Sequence, residues 1–257
     1  MSRETFMKIL NNIDFPIREI CLYLHGEPFL NEELAFFASQ TDKWKGVLTT
    51  IYSNGYNINP ELLHQVLAYR KTRFSFSMDI VDKEYYEELR TPALYSKAIE
   101  SLKQIDTIFA KYNRKYELNI ITGEAVLENE QVIANQIFAS FKQIRKISFN
   151  RNFPWPEYFF TGDLKGHMLK KRMICQQISN HISVYWNGDV TICSYDFSGK
   201  LIIGNMETTK LSEIYNSPAA RRIRKNHYLR QLKKLPVCEK CLLPRYTSVT
   251  TSIKRPK

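Results

Sequence analysis

Along the first two thirds of the chain, short apolar runs alternate with stretches in which apolar residues recur every three to four positions. The first kind reads as strands and the second as amphipathic helices. Residues 2–12 (SRETFMKILNN) predict a helix with Ser2 as its N-cap. A strand follows over 18–24 (REICLYL) and runs into the loop His25-Gly26-Glu27-Pro28. Asn31 is placed to cap a helix reaching about residue 42, and 46–53 (GVLTTIYS) is a strand ending in the turn signal Asn54-Gly55. Asn59-Pro60 supplies an N-cap and a proline at the first helical position. Beyond it lie a strand over 73–78, helices over 81–90 and 95–112, a strand over 117–122, a helix over 130–141 and a short strand over 146–149. This order predicts an α/β fold with a mostly parallel sheet, open or barrel-like. In such sheets ligands meet the carboxyl ends of the strands. Gly26-Glu27-Pro28, Ser53-Asn54-Gly55, Ser77-Met78-Asp79 and Asn150-Arg151 each follow a strand directly.

The pattern changes near residue 152. Phe153-Pro154-Trp155-Pro156 continues neither a helix nor a central strand and reads as a linker or a substrate-facing loop. Two alternating runs, 182–186 and 189–193, are joined by Asn187-Gly188, a strong hairpin signal. One helix carrying Glu213 and Arg221–Lys225 follows, and the tail from about residue 247 is expected to fray.

Composition narrows the class without naming a function. With 257 residues, 44% hydrophobic and 25% charged, the chain is long enough and apolar enough for a real core. No run of 18 apolar residues occurs, and residues 1–12 have no apolar signal core, so a soluble cytoplasmic protein is expected. The net charge of +11 is spread over many short clusters and reads as solvated faces. Basic and aromatic residues are not interleaved in one stripe, so a nucleic-acid partner is not expected.

Cysteine usage is sharper. Cys21 lies in an apolar run and is expected to be a buried small hydrophobe. Cys175, Cys193, Cys238 and Cys241 fall in the last third, the final pair as Cys238-Glu-Lys-Cys241. Without a secretion signal such a set reads as metal ligands before disulfides. Four thiolates enclose either one [4Fe–4S] cluster or one Zn²⁺, and spacing alone does not choose between them. His25, His64, His167, His181 and His227 form no metal-binding spacing, though His25 stands beside a candidate ligand loop.

Taken together, Cys175-x12-Gly188-x4-Cys193, Gly204-Asn205-Met206, the run from Leu211 to Ser217 and Cys238-x2-Cys241 resemble the auxiliary-cluster domain of radical S-adenosylmethionine (SAM) enzymes. The short "twitch" version of the SPASM domain is the nearest pattern. Upstream, Gly26-Glu27-Pro28 resembles that family's GEP motif, Ser53-Asn54-Gly55 its Thr-Asn-Gly turn, and Ser77-Met78-Asp79 its Ser-Ile-Asp strand end. The resemblance implies a partial (β/α)6 barrel lacking its first strand over residues 1–160. It also implies a small cluster domain, a β-hairpin plus helix, over 170–257.

Roles follow from the same resemblance. Gly26, Glu27 and Pro28 would hold the SAM ammonium, Ser53 and Asn54 would line the cleft, and Ser77 and Asp79 would meet the ribose. The four late cysteines would bind an auxiliary [4Fe–4S] cluster, with Zn as the alternative metal. The implied activity is that of an oxidoreductase or maturase on a sugar, cyclitol or peptide, served by a flavodoxin- or ferredoxin-type electron donor. Arg151 is the candidate substrate contact, with a surface ion pair as its other reading, and Trp155, Tyr158 and Phe159 line a pocket or pack a junction. One departure stands out: the family's Cys-x3-Cys-x2-Cys loop is absent, and without it this chain is not expected to cleave SAM. Either the protein continues upstream of Met1, or it is a non-catalytic zinc- or cluster-stabilised binding protein derived from that fold.

Overall fold

Five parallel strands lie side by side in the order in which they occur along the chain. They are β1 (Glu19–Cys21), β2 (Leu48–Ser53), β3 (Thr72–Ser77), β4 (Tyr116–Thr122) and β5 (Ile144–Arg151). A sixth strand, β9 (Thr251–Lys254), pairs antiparallel with β5. The computed structural model describes residues 1–81, 83–90, 92–122, 129–151, 174–241 and 251–256. Phe153, Trp155, Tyr158, Phe159 and His167 lie outside the described residues.

Helices connect the strands: α2 (Leu34–Asp42), α3 (Pro60–Leu67), α4 (Lys83–Leu89) with α5 (Tyr95–Lys111), and α6 (Glu130–Ser140). Sequential order with helical crossovers is what a partial barrel requires. Asn59 caps α3 through its Oδ1, which accepts from the Glu61 and Leu62 amides. At the start of α2, Asn31 does not act as the N-cap. A 3-10 turn (Pro28–Leu30) intervenes, and Asn31 Oδ1 accepts from the Glu33 amide instead.

The strands alternate sharply. Ile51, Phe74, Phe76, Leu118, Ile120, Ile147 and Phe149 are buried in a core shared with Leu63, Leu102 and Phe109 of the helices. The intervening Thr50, Tyr52, Ser75, Glu117, Asn119, Lys146 and Ser148 make the opposite face polar. That alternation corrects the expectation for Cys21. It is exposed, because β1 is a three-residue strand at the sheet edge and Cys21 pairs with Thr50 on the polar face. On that face Glu117 sits between Lys146, at 2.7 Å, and Arg145. A register shift beside Glu117 lets two consecutive cations reach one carboxylate. Burial raises the Glu117 pKa, but Lys146 and Arg145 outweigh it and hold the carboxyl below the ordinary glutamate value. A depressed folded pKa means the contribution is present above the unfolded pKa and is lost as pH falls through the folded one. The wild type should therefore lose more denaturant resistance between about pH 6 and about pH 3 than Glu117→Gln does. Parallel curves for the two would remove that ion triad from the stability of the sheet.

The chain divides into two compact units, neither of them contiguous. One comprises Ile17–Asn152 and Ser248–Lys257, and the other Met1–Pro16 and Phe153–Thr247. In place of a linear division at 160–170, the two chain ends are exchanged. The reason is packing: Ile9 of α1 (Arg3–Asn11) is buried in the core of the second unit, whereas β9 completes the sheet of the first. The tail expected to fray is thus β9 over Thr251–Lys254, with the Arg255 guanidinium donating to the Phe138 and Ile144 carbonyls. Ser2 does cap α1, its Oγ accepting from the Thr5 amide at 3.1 Å.

The second unit holds a three-stranded antiparallel sheet of β6 (Ser183–Val184), β7 (Asp189–Thr191) and β8 (Ile202–Asn205). Asn187-Gly188 makes the expected turn, with Gly188 at φ +83°. A side chain there would also meet Glu207 Cγ at 2.7 Å, so the position favours glycine twice over. The single helix expected beyond is two, α8 (Leu211–Tyr215) and α9 (Pro218–Tyr228). Ser217 and Pro218 divide them as N-cap and first helical residue. Among the described residues no helix is long and apolar enough to cross a membrane.

Candidate functional site

The carboxyl ends of β1, β2 and β3 surround a cleft of about 330 Å³ lined by His25, Gly26, Glu27, Tyr52, Ser53, Asn54 and Ser77. His25, Gly26, Glu27 and Asn54 belong to the segments that follow β1 and β2, Ser53 and Ser77 are the last residues of β2 and β3, and Tyr52 enters from the polar face of β2. Glu27 organises the cleft. Its Oε1 accepts from Ser53 Oγ at 2.8 Å and from the Phe29 amide at 3.1 Å, and its Oε2 accepts from the Asn54 amide at 2.7 Å. Three donors on a carboxylate that accommodates about four leave Oε2 able to accept once more. Gly55 continues the turn at φ +68°, and a side chain there would collide with Met78 Sδ at 2.6 Å. Gly26 is different, since a Cβ added there meets nothing within 4 Å. That open space belongs to whatever the cleft receives. An ammonium beside Oε2 fits it, and Pro28, buried at the start of the 3-10 turn, fixes the loop behind Glu27.

Ser77 reaches the cleft, but Asp79 does not line it. Its side chain is 0% exposed, ion-paired with Arg90 Nη2 at 2.6 Å and hydrogen-bonded to Arg90 Nε and the Ile121 amide. Burial pushes its pKa up and Arg90 pulls it back, with burial the larger effect. Arg90 also approaches Ser77 O and Oγ, each at 3.3 Å. Asp79 therefore acts on the cleft through Arg90 and Ser77, a linkage that spans 13 positions and leaves no local sequence signal. The Arg151 backbone ends β5, paired with Thr122.

In the other unit Cys175, Cys238 and Cys241 are buried and Cys193 is half-buried. Cys175 and Cys238 belong to the same apolar core as Val190, Ile192 and Ile223. Burial pushes the Cys193 thiol up to about 12, and Cys175 and Cys241 push the same way. Among the described residues no three His, Cys, Asp or Glu side chains yet converge on a single point. The donor set still suits a cationic metal centre: a bound cation removes the cost of several thiolates in one dry pocket.

Asp196, which sequence reading passed over, builds the loop after Cys193. Its 0% exposed carboxylate accepts from Thr191 Oγ1 at 2.9 Å and from the Lys200 and Leu201 amides at 2.8 Å each. Its own amide donates to the Cys193 carbonyl at 3.1 Å. Asp196→Ala leaves the buried Leu201 amide and the half-buried Lys200 amide without that acceptor and should cost about 2 kcal/mol. An unchanged denaturation midpoint would show that the loop holds without it.

A family model described as an iron–sulfur cluster-binding domain, SPASM, matches residues 175–242. Those limits start at the first late cysteine and end just past the last. No curated protein sequence matches the chain. Solved structures do match in fold. The BtrN complex with AdoMet and 2-DOIA has a TM-score of 0.59 at 15% identity, over 93% of this chain and 79% of that one. Native anSMEcpe with bound AdoMet has a TM-score of 0.63 at 13% identity over the same shares. Streptococcus suis SuiB has 0.58 at 13% identity, over 87% of this chain and 62% of that one. Residues 175–242, with all four late cysteines inside them, thus match the iron–sulfur cluster-binding SPASM domain, and the sequential parallel strands with the cleft at their ends share the fold of these AdoMet-bound structures.

Proposed function

We propose that the cleft at β1–β3 binds SAM and that Cys175, Cys193, Cys238 and Cys241 hold one auxiliary [4Fe–4S] cluster. The observation that carries the reading is Glu27: a carboxylate fixed by Ser53, Asn54 and Phe29, with acceptor capacity at Oε2 and open space at Gly26. The ammonium of SAM meets that carboxylate in a charge-assisted contact, which sets orientation as well as affinity. Ser53 and Asn54 keep Glu27 aimed, while Ser77, held by Arg90 and through it by Asp79, faces the ribose.

The AdoMet complexes of similar fold support this placement. The description of the matched domain favours iron–sulfur over zinc. When bound, the two groups supply one-electron chemistry, which suits an oxidoreductase or maturase acting on a sugar, a cyclitol or a peptide. Arg151, at the end of β5, is the residue assigned to a substrate carboxylate, phosphate or hydroxyl. Residues 1–257 contain no Cys-x3-Cys-x2-Cys, so SAM cleavage is assigned to none of them. A cytoplasmic location accords with oxygen-sensitive thiolate ligation.

Anaerobic purification followed by metal analysis and calorimetric titration with SAM tests both halves. About four irons and four acid-labile sulfides per chain are expected, with saturable SAM binding. Zinc in place of iron would overturn the cluster assignment, and absence of SAM binding would overturn the cleft assignment.

A further inference from the structure

Helix α9 and the segment after it carry a surface that neither the cluster nor the cleft requires. Between residues 214 and 238 the sequence has seven Lys or Arg and no Asp or Glu. Six of the seven are exposed: Arg221, Arg222, Lys225, Arg230, Lys233 and Lys234. None of the six forms an ion pair among the described residues. Burial settles their arrangement. Ala220, Ile223, Asn226 and His227 face inward, and Arg224 turns in over the Tyr215 ring at 3.8 Å. Arg221, Lys225 and Tyr228 are then left along one outward stripe, at the spacing of one helix face. Tyr228 is 74% exposed and the adjoining Leu229 46% exposed. The chain turns at Arg230, φ +57°, and passes through a 3-10 turn (Leu232–Lys234) into α10 (Pro236–Lys240), which carries Cys238.

An exposed aromatic and a leucine ringed by cations have the anatomy of a protein-docking surface, an apolar anchor inside a charged rim. A single tyrosine provides no stacking platform for successive bases, which argues against a nucleic acid. We propose that this surface docks an acidic one-electron carrier protein, with Tyr228 and Leu229 as the anchor and the six cations steering the approach. The carrier's redox character rests on the reading of residues 175–242 as a cluster domain, because this segment leads straight into two of the four ligands. Unpaired cations on both sides of the anchor make a negatively charged partner face the complementary one.

The test is binding of an acidic [2Fe–2S] ferredoxin, used as the probe, to the purified full chain by calorimetry at two ionic strengths. The wild type should bind, with affinity falling at least tenfold between about 50 and about 300 mM salt. Tyr228→Ala should weaken binding tenfold or more, and Arg221→Glu with Lys225→Glu should weaken binding and reduce the salt dependence. Both variants should keep the circular dichroism and iron content of the wild type, since these side chains are outside the core. Equal affinity in folded wild type and variants would overturn the proposal. So would duplex DNA displacing the ferredoxin at equal charge concentration. A chain devoid of iron that still binds in a Tyr228-dependent way would sink the cluster reading and leave the docking surface standing.

Discussion

Replacing Cys238 or Cys241 with alanine should empty the second unit of iron and unfold its core together. Both side chains are buried, and Cys238 packs with Leu211, Ile214, Val237 and the two strands behind them. The sheet there has only three strands of two to four residues, and its helices are short. With the four cysteines as the proposed ligands, such a unit would depend on the centre they hold, since ligation free energy is folding free energy. Loss of one thiolate from four should cost several kcal/mol, against about 2 kcal/mol for a cavity of one sulfur alone. Iron content, and thermal unfolding followed separately at Trp186 in this unit and at Trp44 in the other, would report the change. A variant that loses iron while Trp186 unfolds at the wild-type temperature would show that the core stands without the centre. Retained iron would remove that cysteine from the ligand set.

Glu27→Gln should be nearly as damaging to the cleft, although it keeps size and shape. Every group meeting Glu27 is a donor: Ser53 Oγ and the Phe29 amide at one oxygen, the Asn54 amide at the other. A glutamine must turn its NH2 toward one of them, so either amide orientation sets donor against donor. The expected cost is about 2 kcal/mol in stability. SAM affinity should fall by tenfold or more, because the charge-assisted contact is lost as well. Calorimetry on Glu27→Gln and Glu27→Ala separates the two effects. Unchanged affinity in either would place the SAM ammonium elsewhere.

Much of this was readable locally. Asn59-Pro60 and Asn187-Gly188 act within a few residues of themselves, and alternation in 73–78 already told which side chains face the helices. The four cysteines were legible because their chemistry is rare and their spacing tight. What escaped depends on partners far along the chain. Asp79 sits in a motif that suggests a ribose contact, yet Arg90, eleven positions on, claims its carboxylate. Asp196 resembles any loop aspartate until Thr191, Lys200 and Leu201 close around it. Thr251-Ser-Ile-Lys254 has one apolar residue and no strand signature of its own; β5 lends it one. The break between α8 and α9 was written in Ser217-Pro218, and the run of basic residues beyond drew attention away from it.

The exchanged chain ends have a consequence during synthesis. Ser148 and Ser252 face each other across β5 and β9 although 104 positions separate them. On the ribosome, β1 to β5 emerge first and wait, with one edge open, until β9 has left the exit tunnel. Helix α1 waits as long in the opposite sense, since Ile9 and Asn12 meet Leu211 and Met206 only after most of the chain has been made. Neither unit can close until its distant segment has been made, and long-range closures of this kind are slow and exposed to mispairing. The nascent protein is thus a natural client for chaperones that shield sheet edges. Its two units should close nearly together rather than one after the other.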